Sequence, residues 1–350
     1  MNKEQYIQDI IIQTLQDTIV AFDESTTLKK PTKLYKYRTC TRNNINNLKN
    51  GQAWFSSPLS WNDKVDCTIL LDLEKFCKEY EMNPENMLLE SIKWVARIFE
   101  KTLGIKINIS EEQLKNLIIL FNENGTLNNE GRKQLELKCT EKEKEQYNLF
   151  ENQMCPVLKS MKFEKAMKEL FYFNDNIRNS INAYCLSETS TNNTQWARYA
   201  DEEKGFCIEY TLSSAIDNDF VKNLYPIIYT KKEEINFMEL FFELVNVGIN
   251  KEELKQSDII RKIILSLLTK EPKWESEEEW RIILNKNQYP NNLVNFNFAT
   301  AIILGADIND YNKRRLMNIA REQNLKVYQR KMNATHSDFI VEEIDLWEML

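Results

Sequence analysis

The chain has 350 residues, 42% of them hydrophobic and 28% charged, with a formal net charge of −7. This balance describes an ordinary globular protein with a sizeable core, and the acidic total, with no basic stripe, speaks against binding along a phosphate backbone. Glycine and proline are scarce, at seven each, which argues against linkers, low-complexity tails and many-turned all-β folds.

Ile7, Ile10, Ile11, Leu15, Ile19 and Phe22 recur at helical spacing and predict an amphipathic helix over 4–22. Residues 34–38 (LYKYR) read as a strand, with Tyr35 and Tyr37 on one face and Lys36 and Arg38 on the other. Thr41 caps a short helix over 42–50, Gly51 supplies a left-handed helix end, and a second strand runs over 52–57 until Pro58 stops it. Helical periodicity then dominates from 72 to 178, at 84–103, 110–122, 128–150 and 157–175. The core resumes with strands at 181–187, 205–211 and 226–229, separated by a helical turn at 195–200. Helices are expected at 234–249 and 251–269. Strands follow at 279–285 and 299–304, then a helix at 309–323, a strand at 325–329 and an edge strand in the tail 338–350.

This order predicts an α+β fold: one mixed, mostly antiparallel sheet of about seven short strands. The expected organisation is a single interrupted domain, with 1–71 and 179–350 as the strand-bearing core and 72–178 as a helical insertion. The longest apolar-looking run, Ile259–Leu268, is broken by Arg261 and Lys262, so no membrane span is expected. The start, MNKEQYIQD, lacks the apolar core of a signal peptide, and the expected location is the cytoplasm.

Several chemistries are disfavoured by residue type. The one histidine, His336, cannot build a multi-His metal centre. Seven scattered cysteines, none in a CxxC pair, point to free thiols and away from a zinc site. Neither GxGxxG nor GxxxxGK[ST] occurs, so no Gly-rich phosphate loop is present. Catalysis would therefore run on carboxylates, Arg, Lys, Ser, Tyr or a bound cofactor.

The densest candidate is 273–284, KWESEEEWRIIL. Alternation into the strand aims Glu277, Glu279 and Arg281 to one side. Two carboxylates there repel one another unless a cation faces them, and Arg281 or Arg38 is the expected partner. Glu275 and Glu278 read as solvated neighbours. Three further blocks, LYKYR at 34–38, WFSSPLSWND at 54–63 and QWARYADEEKGFCIEY at 195–210, are expected to converge on it.

Together, the blocks Tyr-Lys-Tyr-Arg, Phe-Ser-Ser-Pro with Asn-Asp, Trp-x-x-Tyr-Ala and Glu-x-Glu-Trp-Arg resemble a family of bacterial proteins known only as a domain of unknown function. More distantly, Arg on a first strand, Ser on a second and Glu-x-Glu opening a later one resemble the Arg–Ser–Glu arrangement of ADP-ribosyltransferases. That resemblance implies a split sheet that holds NAD in its cleft without a Gly-rich loop. It implies that Arg38 holds the nicotinamide ribose or the phosphates, that Ser56 or Ser57 orders the cleft, and that Glu279 stabilises the oxocarbenium-like transition state. Glu277 would orient an acceptor, a protein or nucleic acid, and Trp54, Trp61 or Tyr199 would stack on nicotinamide. The family type also suggests a bacterial toxin or phage-defence role. The Ser-Ser-Pro sequence departs from the usual Ser-Thr-Ser, and the helical insertion has no counterpart in a minimal transferase.

Two other classes fit the same residues. Asp63, Asp66, Glu277 and Glu279 could share Mg²⁺ in a nuclease or phosphodiesterase, with Lys273 or Arg281 nearby. A non-catalytic sensor would instead use 84–175 as its partner surface.

Overall fold

A computed structural model describes residues 30–72, 119–120, 122, 126–141, 144–145, 148, 174–212, 219–236, 258–335 and 337–344. The predicted helices at 4–22 and 84–103, most of those at 110–122 and 157–175, and His336 lie outside these residues. The chain divides into two compact units. One comprises Met1–Leu70, Asp175–Glu233 and Asn250–Leu350, and the other Leu71–Asn174 with Glu234–Ile249.

In the second unit, helix Asn129–Lys138 starts at Asn128, whose side chain accepts from the Gly131 amide. Glu234–Ile235, expected as the start of a helix, is strand.

The first unit carries the large sheet and everything that follows. Its strands are β1 (Lys33–Arg38), β2 (Gln52–Trp54), β3 (Ile181–Ser187), β4 (Phe206–Thr211), β5 (Leu224–Pro226), β6 (Ile228–Tyr229), β7 (Thr269–Lys270), β8 (Glu279–Asn285), β9 (Leu293–Asn295), β10 (Ala299–Leu304), β11 (Lys326–Met332) and β12 (Phe339–Glu343). Its main helices are α1 (Arg42–Lys49), α2 (Asn193–Tyr199), α3 (Asp258–Leu268) and α4 (Asp310–Gln323). The fold is α+β. Eight strands form one mixed sheet in the order β12-β11-β10-β4-β1-β3-β8-β5. Its pairings are antiparallel except β10 with β11, which are parallel and joined through α4.

Local chemistry explains the helix ends. Thr41 accepts from the Asn44 amide at the start of α1, Asn192 from Gln195 at the start of α2, and Asn309 from Asn312 at the start of α4. Gly51, at φ 61°, follows α1 where a side chain would be disfavoured. Leu34, Tyr184, Leu186, Ile208, Tyr210, Trp280 and Ile282 fill the main core with Leu316 and Ile319 of α4. On the opposite face Tyr37, Trp196, Ala200, Cys207 and Ile303 form a smaller cluster, so α2 is held by its tryptophan.

The sheet is split at its middle. β1 pairs with β4 at six successive positions, Lys33 opposite Thr211 through Arg38 opposite Phe206. Toward β3 it makes a single registered pair, Tyr35 with Ser187. At Ala183, β3 bridges to Ser56 instead. The predicted second strand accordingly ends early: Gln52–Trp54 pairs with Leu293–Asn295, and Ser56 makes the isolated bridge. Ser57, still extended, caps the turn Pro58–Ser60, and its hydroxyl accepts from the Leu59 amide.

Candidate active site

A cleft of about 730 Å³ opens along the split. Lys36 and Arg38 of β1 line it, with Trp54, Ser56, Trp61, Asp63 and Asp66 from the segment after α1. Tyr184 and Cys185 of β3, Arg198 and Tyr199 of α2, Lys270 of β7, and Trp274, Glu277 and Glu279 complete it. The four blocks separated in sequence therefore meet around one space, Arg38, Ser56 and Glu279 among them. Trp54 and Tyr199, expected to stack on a ring, are 51% and 44% exposed at its edge. Ser57 does not line it; its hydroxyl donates to the Arg178 carbonyl at 2.8 Å.

The two glutamates do not reach the cleft by simple alternation. Pro272–Glu277 is a 3₁₀ turn, and Glu278 follows it in the left-handed conformation at φ 44° and ψ 52°. This tight reversal lets Glu277, the last residue of the turn, and Glu279, the first of β8, meet on one side. Glu275 and Glu278 are exposed, as expected. The turn is fixed from below: the Glu277 carbonyl accepts from Ser187 Oγ at 2.9 Å and from Gln195 Nε2 at 2.6 Å. The Glu279 amide donates to the Tyr229 hydroxyl at 2.7 Å.

Both carboxylates are almost fully buried, at 5% and 6% exposure, and sit in an ionic cluster. Lys270 Nζ lies 2.6 Å from Glu277 Oε2, 2.9 Å from Glu279 Oε2 and 4.0 Å from Asp66 Oδ2. Arg281, wholly buried, donates through Nε to Glu279 Oε1 and grips Asp66 with two parallel bonds of 3.0 and 2.7 Å. Its remaining donor capacity goes to the Leu267 carbonyl and Cys67 Sγ. Burial alone would raise the Glu279 pKa, but Arg281 and Lys270 outweigh it and hold that carboxyl below the usual carboxylate range. For Lys270 burial pulls downward, and Glu279 and Glu277 prevail, so it stays protonated.

At the cleft mouth Tyr199 donates to Glu277 Oε1 at 2.9 Å, and Arg198 approaches the same oxygen at 3.8 Å. Trp274 lies beneath these cations, with Arg198 4.7 Å and Lys270 4.9 Å from its ring centroid. Its indole N–H is buried without a hydrogen-bond partner among the described residues. Trp61 plays a similar part across the cleft. Its N–H donates to Ser56 Oγ at 2.9 Å, and Arg281 lies 4.8 Å from its ring.

The opposite wall has a different charge character. Arg38, expected as a partner for the acids, makes no ion pair with any described carboxylate; its guanidinium lies 5.4 Å from the Tyr184 centroid. Lys36 donates to the Cys185 carbonyl and lies 5.0 Å from the same ring, also without a carboxylate partner among the described residues. Sequence reasoning singled out neither Lys36 nor Lys270. It offered Lys273, whose ammonium instead pairs at the surface with Glu271. The signal for Lys36 was present in its alternation with Arg38.

Among the described residues no three His, Cys, Asp or Glu side chains converge as a possible metal ligand set. Within the acidic cluster the Lys270 ammonium and the Arg281 guanidinium already bridge the carboxylates that would have been ligands. No helix among the described residues is long and apolar enough to cross a membrane.

No curated protein and no solved structure matches the chain significantly. Residues 195–282, which span the Trp-x-x-Tyr-Ala and Glu-x-Glu-Trp-Arg blocks and contribute α2, Lys270, Trp274 and both glutamates to the cleft, match the family model described as protein of unknown function (DUF2971).

Proposed function

We propose that the cleft binds NAD and cleaves the bond between its nicotinamide nitrogen and the ribose, passing the ribosyl carbon to water or to a macromolecular acceptor. The observation that carries this reading is the meeting of Arg38, Ser56 and Glu279 around one cleft at a split in the sheet. Nicotinamide leaves with the bonding electron pair, and positive charge develops on the ribose. A carboxylate fixed in its ionised form beside that carbon stabilises the charge without first shedding a proton. Glu279 fits this demand, because Arg281 and Lys270 hold it ionised. Glu277 lies nearer the mouth beside Tyr199, where it would orient an acceptor hydroxyl or water and take the proton that the acceptor loses as the new bond to the ribosyl carbon forms. Trp54, Trp61 and Tyr199 offer aromatic faces for the nicotinamide or adenine ring.

The assay is nicotinamide release from NAD by the purified protein. Wild type releases it, and Glu279→Gln slows release by about a hundredfold or more, the scale of losing one preorganised electrostatic group. Wild-type protein that leaves NAD intact, with and without cell extract as a source of acceptor, contradicts the proposal. So does an unchanged rate in a folded Glu279→Gln variant.

A further inference from the structure

We propose that Lys36 and Arg38 together form a built anion site for a phosphate or pyrophosphate group, so that the cleft selects phosphorylated ligands. The inference deepens the reading above by assigning the anionic end of the ligand, and binding there does not require that any bond be cut.

Lys36 and Arg38 stand two residues apart on β1 and both line the cleft. Like charges on one side of a strand repel, and burial weakens the screening of that repulsion by water. On the facing wall the same difficulty is relieved by carboxylates: Lys270 and Arg281 are bound to Glu277, Glu279 and Asp66. Among the described residues, Lys36 and Arg38 have no carboxylate partner; they meet the Cys185 carbonyl and the Tyr184 ring. Neither is a counterion, so the pair retains two positive charges directed at the same space. An anion with several oxygens can accept from an ammonium and a guanidinium at once, and such charge-assisted bonds are stronger than neutral ones. The adjacent aromatic faces of Trp54, Trp61 and Tyr199 favour a phosphate attached to a planar ring over a free inorganic ion.

The ammonium of Lys36 is tuned for this. Burial first, and then Arg38, push its pKa down to about 8; Cys185 on β3 and Glu279 and Glu277 across the cleft act in the opposite direction. Cys207 on β4 and the Tyr184 phenol on β3 are further titratable neighbours. A bound anion favours the charged amine, so binding near pH 8 takes up protons from solution.

The test is calorimetric titration with inorganic pyrophosphate and with ADP-ribose, and adenosine as the uncharged control. Wild type binds at least one of the two anions, and Lys36→Met weakens that binding about tenfold or more, as expected for losing a charged hydrogen bond. Lys36→Arg keeps the permanent charge, so it retains binding but loses the proton uptake seen at pH 8 in buffers of different ionisation enthalpy. Tighter binding of ADP-ribose assigns an internal pyrophosphate, and tighter binding of pyrophosphate assigns a terminal phosphate. Absence of binding to both anions overturns the proposal, as does equal affinity in wild type and a folded Lys36→Met variant. If NAD remains uncleaved while pyrophosphate binding depends on Lys36, the anion site stands and the reaction assigned to Glu279 falls.

Discussion

Arg281 shows how one side chain ties the candidate site to the stability of the unit. It is fully buried and spends its donors on Asp66, Glu279, the Leu267 carbonyl and Cys67. Removing Asp66 would leave that guanidinium short of a counterion in the interior. Asp66→Ala is therefore expected to cost about 3–5 kcal/mol, the penalty for breaking a buried pair from one side. Urea unfolding measures it, and a loss below about 1 kcal/mol would show that water or another group compensates easily. At this scale the sequence was only partly legible. The pairing of Glu277 and Glu279 could be read from their spacing, but Lys270 could not be joined to them. It reaches both only because the 3₁₀ turn folds the chain back, and strand alternation gives no hint of that. The adjacent Ser56 and Ser57 were equivalent in sequence. The structure separates them: Ser56 bridges to β3 and accepts from Trp61, whereas Ser57 caps the following turn and donates to the Arg178 carbonyl.

Elements with strong apolar alternation were readable: Lys33–Arg38, Ile181–Ser187, Phe206–Thr211, Glu279–Asn285 and Ala299–Leu304 fall where their patterns put them. Leu293–Asn295 was missed because its three residues sit among asparagines that read as turn, and only pairing with Gln52–Trp54 makes them a strand. Connections between elements are equally dependent on tertiary context. After α2 the chain turns through Asp201, Glu202 and Glu203, all with positive φ, before Gly205 enters β4. That passage is held by the single Nε–H of Arg330, shared between both oxygens of the Glu203 carboxylate at 3.0 Å. A Cβ on Gly205 would lie 2.3 Å from the Arg38 carbonyl oxygen and 2.7 Å from that of Ala200. Both obstacles are backbone, so Gly205→Ala is expected to destabilise the fold by about 1–3 kcal/mol, as overpacking does. Displacing the end of β1 should also weaken anion binding, because Arg38 is carried there. Thermal unfolding with a parallel pyrophosphate titration checks both; a variant as stable as wild type would mean the strands part more easily than this packing implies.

At the scale of the whole molecule, the chain's charge of −7 conceals a cleft with one wall of unpaired cations and another of ion-paired carboxylates. Composition averages over the chain, whereas the split sheet sets Lys36 and Arg38 across from Glu277 and Glu279. Each wall thereby gains its own role. The cationic wall holds a ligand's anionic end, and the acidic wall acts on charge that develops only during reaction. Interactions present in the ground state set KM, and those made in the transition state set kcat. Steady-state kinetics of nicotinamide release from NAD, compared between wild type, Arg38→Gln and Glu279→Gln, puts that division of roles to the proof. Arg38→Gln is expected to raise KM with a smaller effect on kcat, whereas Glu279→Gln is expected to lower kcat at nearly unchanged KM. The same parameter changing in both variants, or no turnover of NAD by the wild type, would be incompatible with it.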